Sequence, residues 1–129
     1  MAKRIREKTE KINRERDTRP YATAKFLRIS NTKLDIIMDL VRGKSYADAV
    51  AILKNTPNKA AELICDVVES AGANAENNKG LSRTDLFVDE CYVTPGPTLK
   101  RLDIRARGRA NRLLKRTCHI TVFVDGVKE

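Results

Sequence analysis

The sequence predicts an α+β fold: three helices packed on a small antiparallel sheet of about three strands, with a long basic β-hairpin protruding from it. Three observations carry this prediction. Apolar residues recur at helical spacing in three successive segments between residues 30 and 80. The apolar period then falls to two, the mark of half-buried strands. Finally, the two late strand segments bracket a stretch too charged to build a core and too long for a tight turn.

Residues 1–20 show no sustained apolar period and read as a basic tail, flexible alone and ordered on a polyanion. Tyr21 to Ile29 leans towards strand. Ser30 suits an N-cap, and Leu34, Ile37, Met38 and Val41 then fall at i, i+3, i+4 and i+7 on one helical face. Gly43 supplies the stop. Ser45, with Asp48 three residues on, opens a shorter helix whose stripe is Tyr46, Ala49, Val50 and Leu53. Thr56-Pro57 predicts the start of a third, as N-cap followed by proline at the first helical position. Its stripe is Ala60, Leu63, Ile64, Val67, Val68, Ala71 and Ala75, closed by Asn78-Lys79-Gly80. These stripes are core. Leu86 to Thr94 is rich in β-branched and aromatic residues, and Ile120, Val122 and Val124 alternate with His119, Thr121 and Phe123. These last two strands are expected to pair as a hairpin.

The length of 129 residues suits one domain, expected over residues 21–129, with residues 1–20 as the tail and the hairpin tip at about 95–113. The net charge of +9 favours a polyanionic partner, because each phosphate contact releases condensed counterions. That charge is not spread evenly. Residues 1–20 hold eight basic and four acidic side chains, and residues 95–118 hold eight basic and one acidic, whereas residues 21–94 hold nine basic and ten acidic. A neutral body carries two basic arms.

Other classes fit poorly. There is no run of ~20 apolar residues to cross a membrane, and no signal or transit peptide is evident, so the protein is expected to stay in the cytoplasm. Cys65, Cys91 and Cys118 are widely spaced and have one histidine among them, which suits buried reduced thiols and neither a disulfide framework nor a zinc site. No cofactor or metal is expected. An enzyme needs a constellation around its acid and base. The lone His119 alternates with strand residues and has no partner at ligand spacing. With aromatics at 5% and no Trp, base stacking on exposed rings is not expected to carry binding. Electrostatics must.

The basic segment runs Pro95-Gly96-Pro97-Thr98-Leu99-Lys100-Arg101-Leu102-Asp103-Ile104-Arg105-Ala106-Arg107-Gly108-Arg109-Ala110-Asn111-Arg112. Arms of ~9 residues at ~3.3 Å each would project ~30 Å. Arg105, Arg107 and Arg109 alternate, so an extended strand would place them on one face along a phosphate row. Arginine suits that task because its planar fork donates bidentately.

At these residues the sequence resembles the bacterial form of the large ribosomal subunit protein 22 family. The resemblance rests on Ala24-Lys25-Phe26-Leu27-Arg28-Ile29-Ser30, Asp39-Leu40-Val41-Arg42-Gly43-Lys44, Ala51-Ile52-Leu53-Lys54, Lys59-Ala60-Ala61-Glu62-Leu63, Ala73-Asn74-Ala75-Glu76-Asn77-Asn78, Gly96-Pro97-Thr98-Leu99-Lys100-Arg101, Arg105-Ala106-Arg107-Gly108-Arg109-Ala110 and Lys115-Arg116-Thr117 with His119-Ile120-Thr121-Val122. It implies a non-enzymatic structural constituent of the large subunit that binds its ribosomal RNA and supports assembly. It also implies a hairpin threaded through that RNA to line the nascent-peptide exit tunnel, beside ribosomal protein four and near the macrolide site. The RNA-binding residues it implies are Lys25, Arg28, Lys33, Lys100, Arg101, Arg105, Arg107, Arg109, Arg112, Lys115 and Arg116, with Leu99, Lys100 and Arg101 as the tunnel-lining tip. Partners would be that RNA, neighbouring ribosomal proteins and the nascent peptide, with the chain monomeric in the ribosome.

Departures from the family pattern are confined. Asn31-Thr32-Lys33-Leu34-Asp35 replaces a more basic helix start, leaving Lys33 as its main cation. Asp103-Ile104 stands where a basic or apolar residue and a proline are common, and Pro95 replaces a usual acid. The alternative reading is a free-standing basic RNA-binding regulator, which would stay clear of ribosomes in a lysate at moderate salt.

Overall fold

The computed structural model describes residues 2–15 and 17–126. Met1 and Arg16, assigned to the tail, and residues 127–129, assigned to the domain, lie outside them. In chain order the elements are α1 (Ala2–Glu15), β1 (Tyr21–Leu27), α2 (Asn31–Val41), α3 (Tyr46–Asn55), α4 (Lys59–Lys79), β2 (Leu86–Pro95), β3 (Leu99–Ile104), β4 (Ala110–Lys115) and β5 (Cys118–Gly126). The fold class is α+β. Two details depart from expectation: the described residues form four α-helices, and the strands form two sheets.

The main sheet is antiparallel with order β1-β5-β2, and β3 pairs only with β4. β2 and β5 form the expected hairpin, from Leu86 opposite Gly126 to Pro95 opposite Cys118. Helices cover one face of this sheet. Most of each stripe predicted from spacing lies in the core: Leu34, Ile37, Met38 and Val41 of α2, Ala49 and Leu53 of α3, and Ala60, Ile64, Val67, Val68, Ala71 and Ala75 of α4 are buried, whereas Tyr46, Val50 and Leu63 are only half-buried. They meet Ala22, Val88, Cys91, Ile120, Val122 and Val124 from the sheet. Burying one such aliphatic side chain is worth about 1.5–3 kcal/mol, so this layer holds the body together. All three cysteines are free and buried, and burial pushes each thiol above its ordinary range.

The helix starts show which local signals prevailed. Ser45 caps α3 as expected, its hydroxyl accepting from the Asp48 N–H at 3.2 Å. Ser30 stands at the N-cap of α2 without a side-chain cap bond. Thr56-Pro57 does not open α4. Thr56 is the C-cap of α3, its hydroxyl donating to the Ile52 carbonyl at 2.8 Å, and Asn58 caps α4 by accepting the Ala60 N–H at 3.0 Å. α3 runs long enough to consume Thr56, and asparagine is as good an N-cap as threonine.

α1 is the fourth helix, where the sequence predicts a tail flexible on its own. The chain beyond it is fastened to the sheet. Arg19 bridges Asp17, Asp89 and Glu90, and its guanidinium lies 4.8 Å above the Phe123 ring. The Pro20 carbonyl accepts the Val124 N–H at 3.0 Å.

Candidate nucleic-acid interface

The β3–β4 ribbon leaves the body where the β2–β5 ladder ends. At its root Gly96 donates its N–H to the Thr117 carbonyl at 2.8 Å, and the Thr117 hydroxyl donates to the Pro97 carbonyl at 2.6 Å. A Cβ on Gly96 would stand 2.6 Å from that hydroxyl oxygen, so only glycine permits the close crossing. Beyond the root, six residue pairs continue the ladder from Leu99 opposite Lys115 to Ile104 opposite Ala110. Six residues at ~3.3 Å make an arm of about 20 Å. Every residue of β4 is exposed, and Ile104 near the turn retains 83% of its accessible surface.

The register corrects two expectations about side-chain placement. Leu99, Lys100 and Arg101 lie at the body end of β3 and do not form the tip, because Leu99 is paired with Lys115. The apex is the turn at Arg105–Arg109, closed by the Arg105 N–H donating to the Arg109 carbonyl at 2.8 Å. Nor do Arg105, Arg107 and Arg109 share a strand face. Ala106–Gly108 is a 3-10 turn in which Arg107 and Gly108 take positive φ, which breaks strand alternation across the three arginines. Arg105 is also ion-paired to Asp103 at 2.9 Å, which partly offsets its charge.

Alternation then sorts the remaining cations of the ribbon. Leu99, Arg101 and Asp103 share one face with Asn111, Leu113 and Lys115. Lys100, Leu102 and Ile104 share the other with Ala110, Arg112 and Leu114. Each face carries two cations: Arg101 and Lys115 on one, Lys100 and Arg112 on the other.

A second basic surface lies at the ribbon's root. A groove of about 570 Å³ is lined by Arg28, Ile29, Ser30, Lys33, Asn58, Lys59, Leu114, Lys115 and Arg116. It brings together four residues singled out from the sequence, Arg28, Lys33, Lys115 and Arg116. It adds Lys59, which sequence reasoning missed because its approach to residues 114–116 is long-range. The five cations are exposed and no carboxylate lines the groove. The N-termini of α2 and α4 also open into it, so their helix dipoles reinforce the positive field. Lys25, exposed on β1, is not part of its lining. A larger cleft of about 750 Å³ between α3 and α4 is a poorer anion site, because Glu62, Asp66 and Glu69 line it beside Lys54 and Lys59.

His119 is engaged by Phe26. Its Nδ1 accepts the Phe26 N–H at 2.9 Å, and its ring meets Phe26 edge-on at 4.8 Å. Among the described residues no three His, Cys, Asp or Glu side chains are grouped to hold a metal ion, and no helix is long and apolar enough to cross a membrane.

The family model for ribosomal protein L22p/L17e matches residues 22–125. The chain belongs to that family. An L22p/L17e protein is a structural, non-enzymatic constituent of the large ribosomal subunit. The match begins after α1 and the Arg19 anchor, so these lie outside the L22p/L17e region.

Proposed function

We propose that the chain binds large-subunit ribosomal RNA through the groove at the hairpin root and threads its hairpin through that RNA. The observation that carries this reading is the β3–β4 ribbon, largely exposed and cationic on both faces and at its turn. A surface-lying ribbon needs charge on one side only. A ribbon enclosed by RNA meets phosphate on both. An isolated two-stranded hairpin is marginal in water, so an enclosing partner is what gives this one a fixed place.

The RNA-binding residues proposed are Arg28, Lys33, Lys115 and Arg116 at the root, with Lys25 beside it on β1. Lys100, Arg101 and Arg112 act along the ribbon, and Arg105, Arg107 and Arg109 at its apex. The family resemblance further supports an apex that faces the peptide exit tunnel, beside ribosomal protein four and the nascent peptide. In that role the Arg105–Arg109 turn takes the leading position, with Leu99, Lys100 and Arg101 behind it along the tunnel approach. The chain acts as a monomer within the particle.

Binding of the whole chain to deproteinised large-subunit RNA at rising salt tests this. Replacing Arg105, Arg107 and Arg109 together with glutamine lowers the slope of log affinity against log salt by up to ~0.7–0.9 for each phosphate that is no longer neutralised. An unchanged slope would show that these arginines meet no phosphate.

A further inference from the structure

We infer that α1 is an additional RNA-binding element, a basic helix that docks on the phosphate backbone of ribosomal RNA next to the body. The inference rests on the RNA-binding reading above but concerns a segment that the family match does not reach.

Four observations lead to it. First, every side chain from Lys3 to Arg14 is exposed, so none of them is buried against the body. A 14-residue helix without a packed face is marginal in water, and a docking surface is what would fix it. Second, its charge is one-sided in amount: Lys3, Arg4, Arg6, Lys8, Lys11 and Arg14 stand against Glu7, Glu10 and Glu15. Third, the cations are ordered. Arg4, Lys8 and Lys11 fall at i, i+4 and i+7 and form one row about 10 Å long at 1.5 Å per residue. Glu7 and Glu10 lie to one side of that row, Glu15 follows Lys11 at i+4 at its C-terminal end, and Ile5 and Ile12, seven residues apart, lie to the other side. Fourth, the chain that follows the helix is held to the body: Arg19 pairs with Asp89 and Glu90, and the Pro20 carbonyl accepts the Val124 N–H. The helix therefore lies within a few residues of the body, and of any RNA the body binds.

A basic helix with an apolar row also suits an anionic lipid surface. Here the apolar row is only Ile5 and Ile12, with Thr9 beside them, too narrow a face to bury in lipid. The family works inside an RNA particle, so phosphate of RNA is the chemistry favoured.

The test uses the whole chain, deproteinised large-subunit RNA as probe, and two variants. One carries Arg4→Gln, Lys8→Gln and Lys11→Gln, since glutamine keeps helix propensity while removing charge. The other carries Lys33→Gln, Lys59→Gln and Arg116→Gln in the groove. Hydroxyl-radical footprinting and the salt slope are read for each. The expected result is a tract of RNA backbone protected by the wild type and the groove variant but cleaved with the α1 variant. The α1 variant's salt slope is expected to be lower by roughly 2, at ~0.7–0.9 per phosphate. If the α1 variant keeps the full footprint and slope while the groove variant loses both, the inference about α1 is overturned and the RNA-binding reading stands. If neither variant differs from wild type, both fail. Should α1 instead bind vesicles of phosphatidylglycerol, with its substitutions abolishing that binding and leaving the RNA footprint intact, the helix is lipid-directed and the inference is overturned.

Discussion

The backbone N–H of Phe26 donates to Nδ1 of His119 at 2.9 Å, and this bond holds a bulge in β1 where Phe26 takes a left-handed φ of 59°. The β1–β5 register slips between Ala24 and Leu27 at that point. A non-glycine residue at positive φ costs roughly 1–2 kcal/mol, so the histidine acceptor and the edge-on ring packing offset a local strain. The bulge carries β1 into Arg28 and Ser30, which line the basic groove. A residue that reads in sequence as one alternation of a strand thus shapes the entrance to the interface.

Replacing His119 with alanine removes both the acceptor and the ring. A loss of about 1–2 kcal/mol in unfolding free energy is expected, measured by denaturant titration. Phe26→Gly relieves the strained φ while losing the ring, so its cost is expected to be smaller. A His119→Ala protein as stable as wild type would mean that the bulge is held by something else.

Gly72 lies in α4 under the ring of Tyr46, and a Cβ there would stand 2.5 Å from Tyr46 Cε2. Alanine improves helix propensity by about 1 kcal/mol, yet the ring must move out of its half-buried seat. Overpacking of this kind costs about 1–3 kcal/mol, so Gly72→Ala is expected to lower Tm. In the Tyr46→Ala background the same substitution is expected to be neutral or stabilising, and a double-mutant cycle reads the difference.

Asp17 has its carboxyl lowered to about 2 from an ordinary 3.8, first by the side-chain hydrogen bond from Arg19 and then by the Arg19 N–H. A depressed carboxylate adds stability that is fully present above its unfolded value and is lost as pH falls through its folded value. The anchor at Asp17–Pro20 is therefore expected to hold at pH 4 and above and to loosen towards pH 2. Nuclear magnetic resonance of the Asp17 carboxyl carbon should give a midpoint near 2 in the wild type, moving towards 3.8 in Arg19→Ala.

Deleting Leu99, Lys100 and Arg101 removes three residues from β3, an odd number, and so exchanges the two faces of that strand against β4. It also draws the arginine turn back by about 10 Å. Large subunits carrying the deletion are expected to assemble and to show altered macrolide susceptibility. Assembled subunits with ordinary susceptibility would count against a tunnel-facing apex.

How much of this was legible in the sequence follows from the range of the forces involved. The stripes Leu34–Val41 and Ala60–Ala75 were legible because burial imposes a period on residues close in sequence. The separate charge of residues 95–118 was legible for the same reason: it is a local composition. α1 was not, because a helix without a buried face leaves no apolar stripe. The start of α4 was missed by two residues because Thr56 and Asn58 are competing caps and the length of α3 decides between them. The apex was misplaced because the positive φ of Arg107 and Gly108 gathers the turn at Arg105–Arg109, and alternating arginines give no sign of it. Lys59 entered the groove through tertiary packing alone.

Sedimentation of a tagged chain through a sucrose gradient at rising salt, with blotting across the fractions, is the most direct measurement of whether the hairpin is enclosed by ribosomal RNA. A threaded hairpin keeps the chain with the large subunit at salt concentrations that strip loosely bound basic proteins. A chain that leaves the subunit at moderate salt, or never leaves the top of the gradient, would be a peripheral or free nucleic-acid binder, and the threaded placement would be wrong.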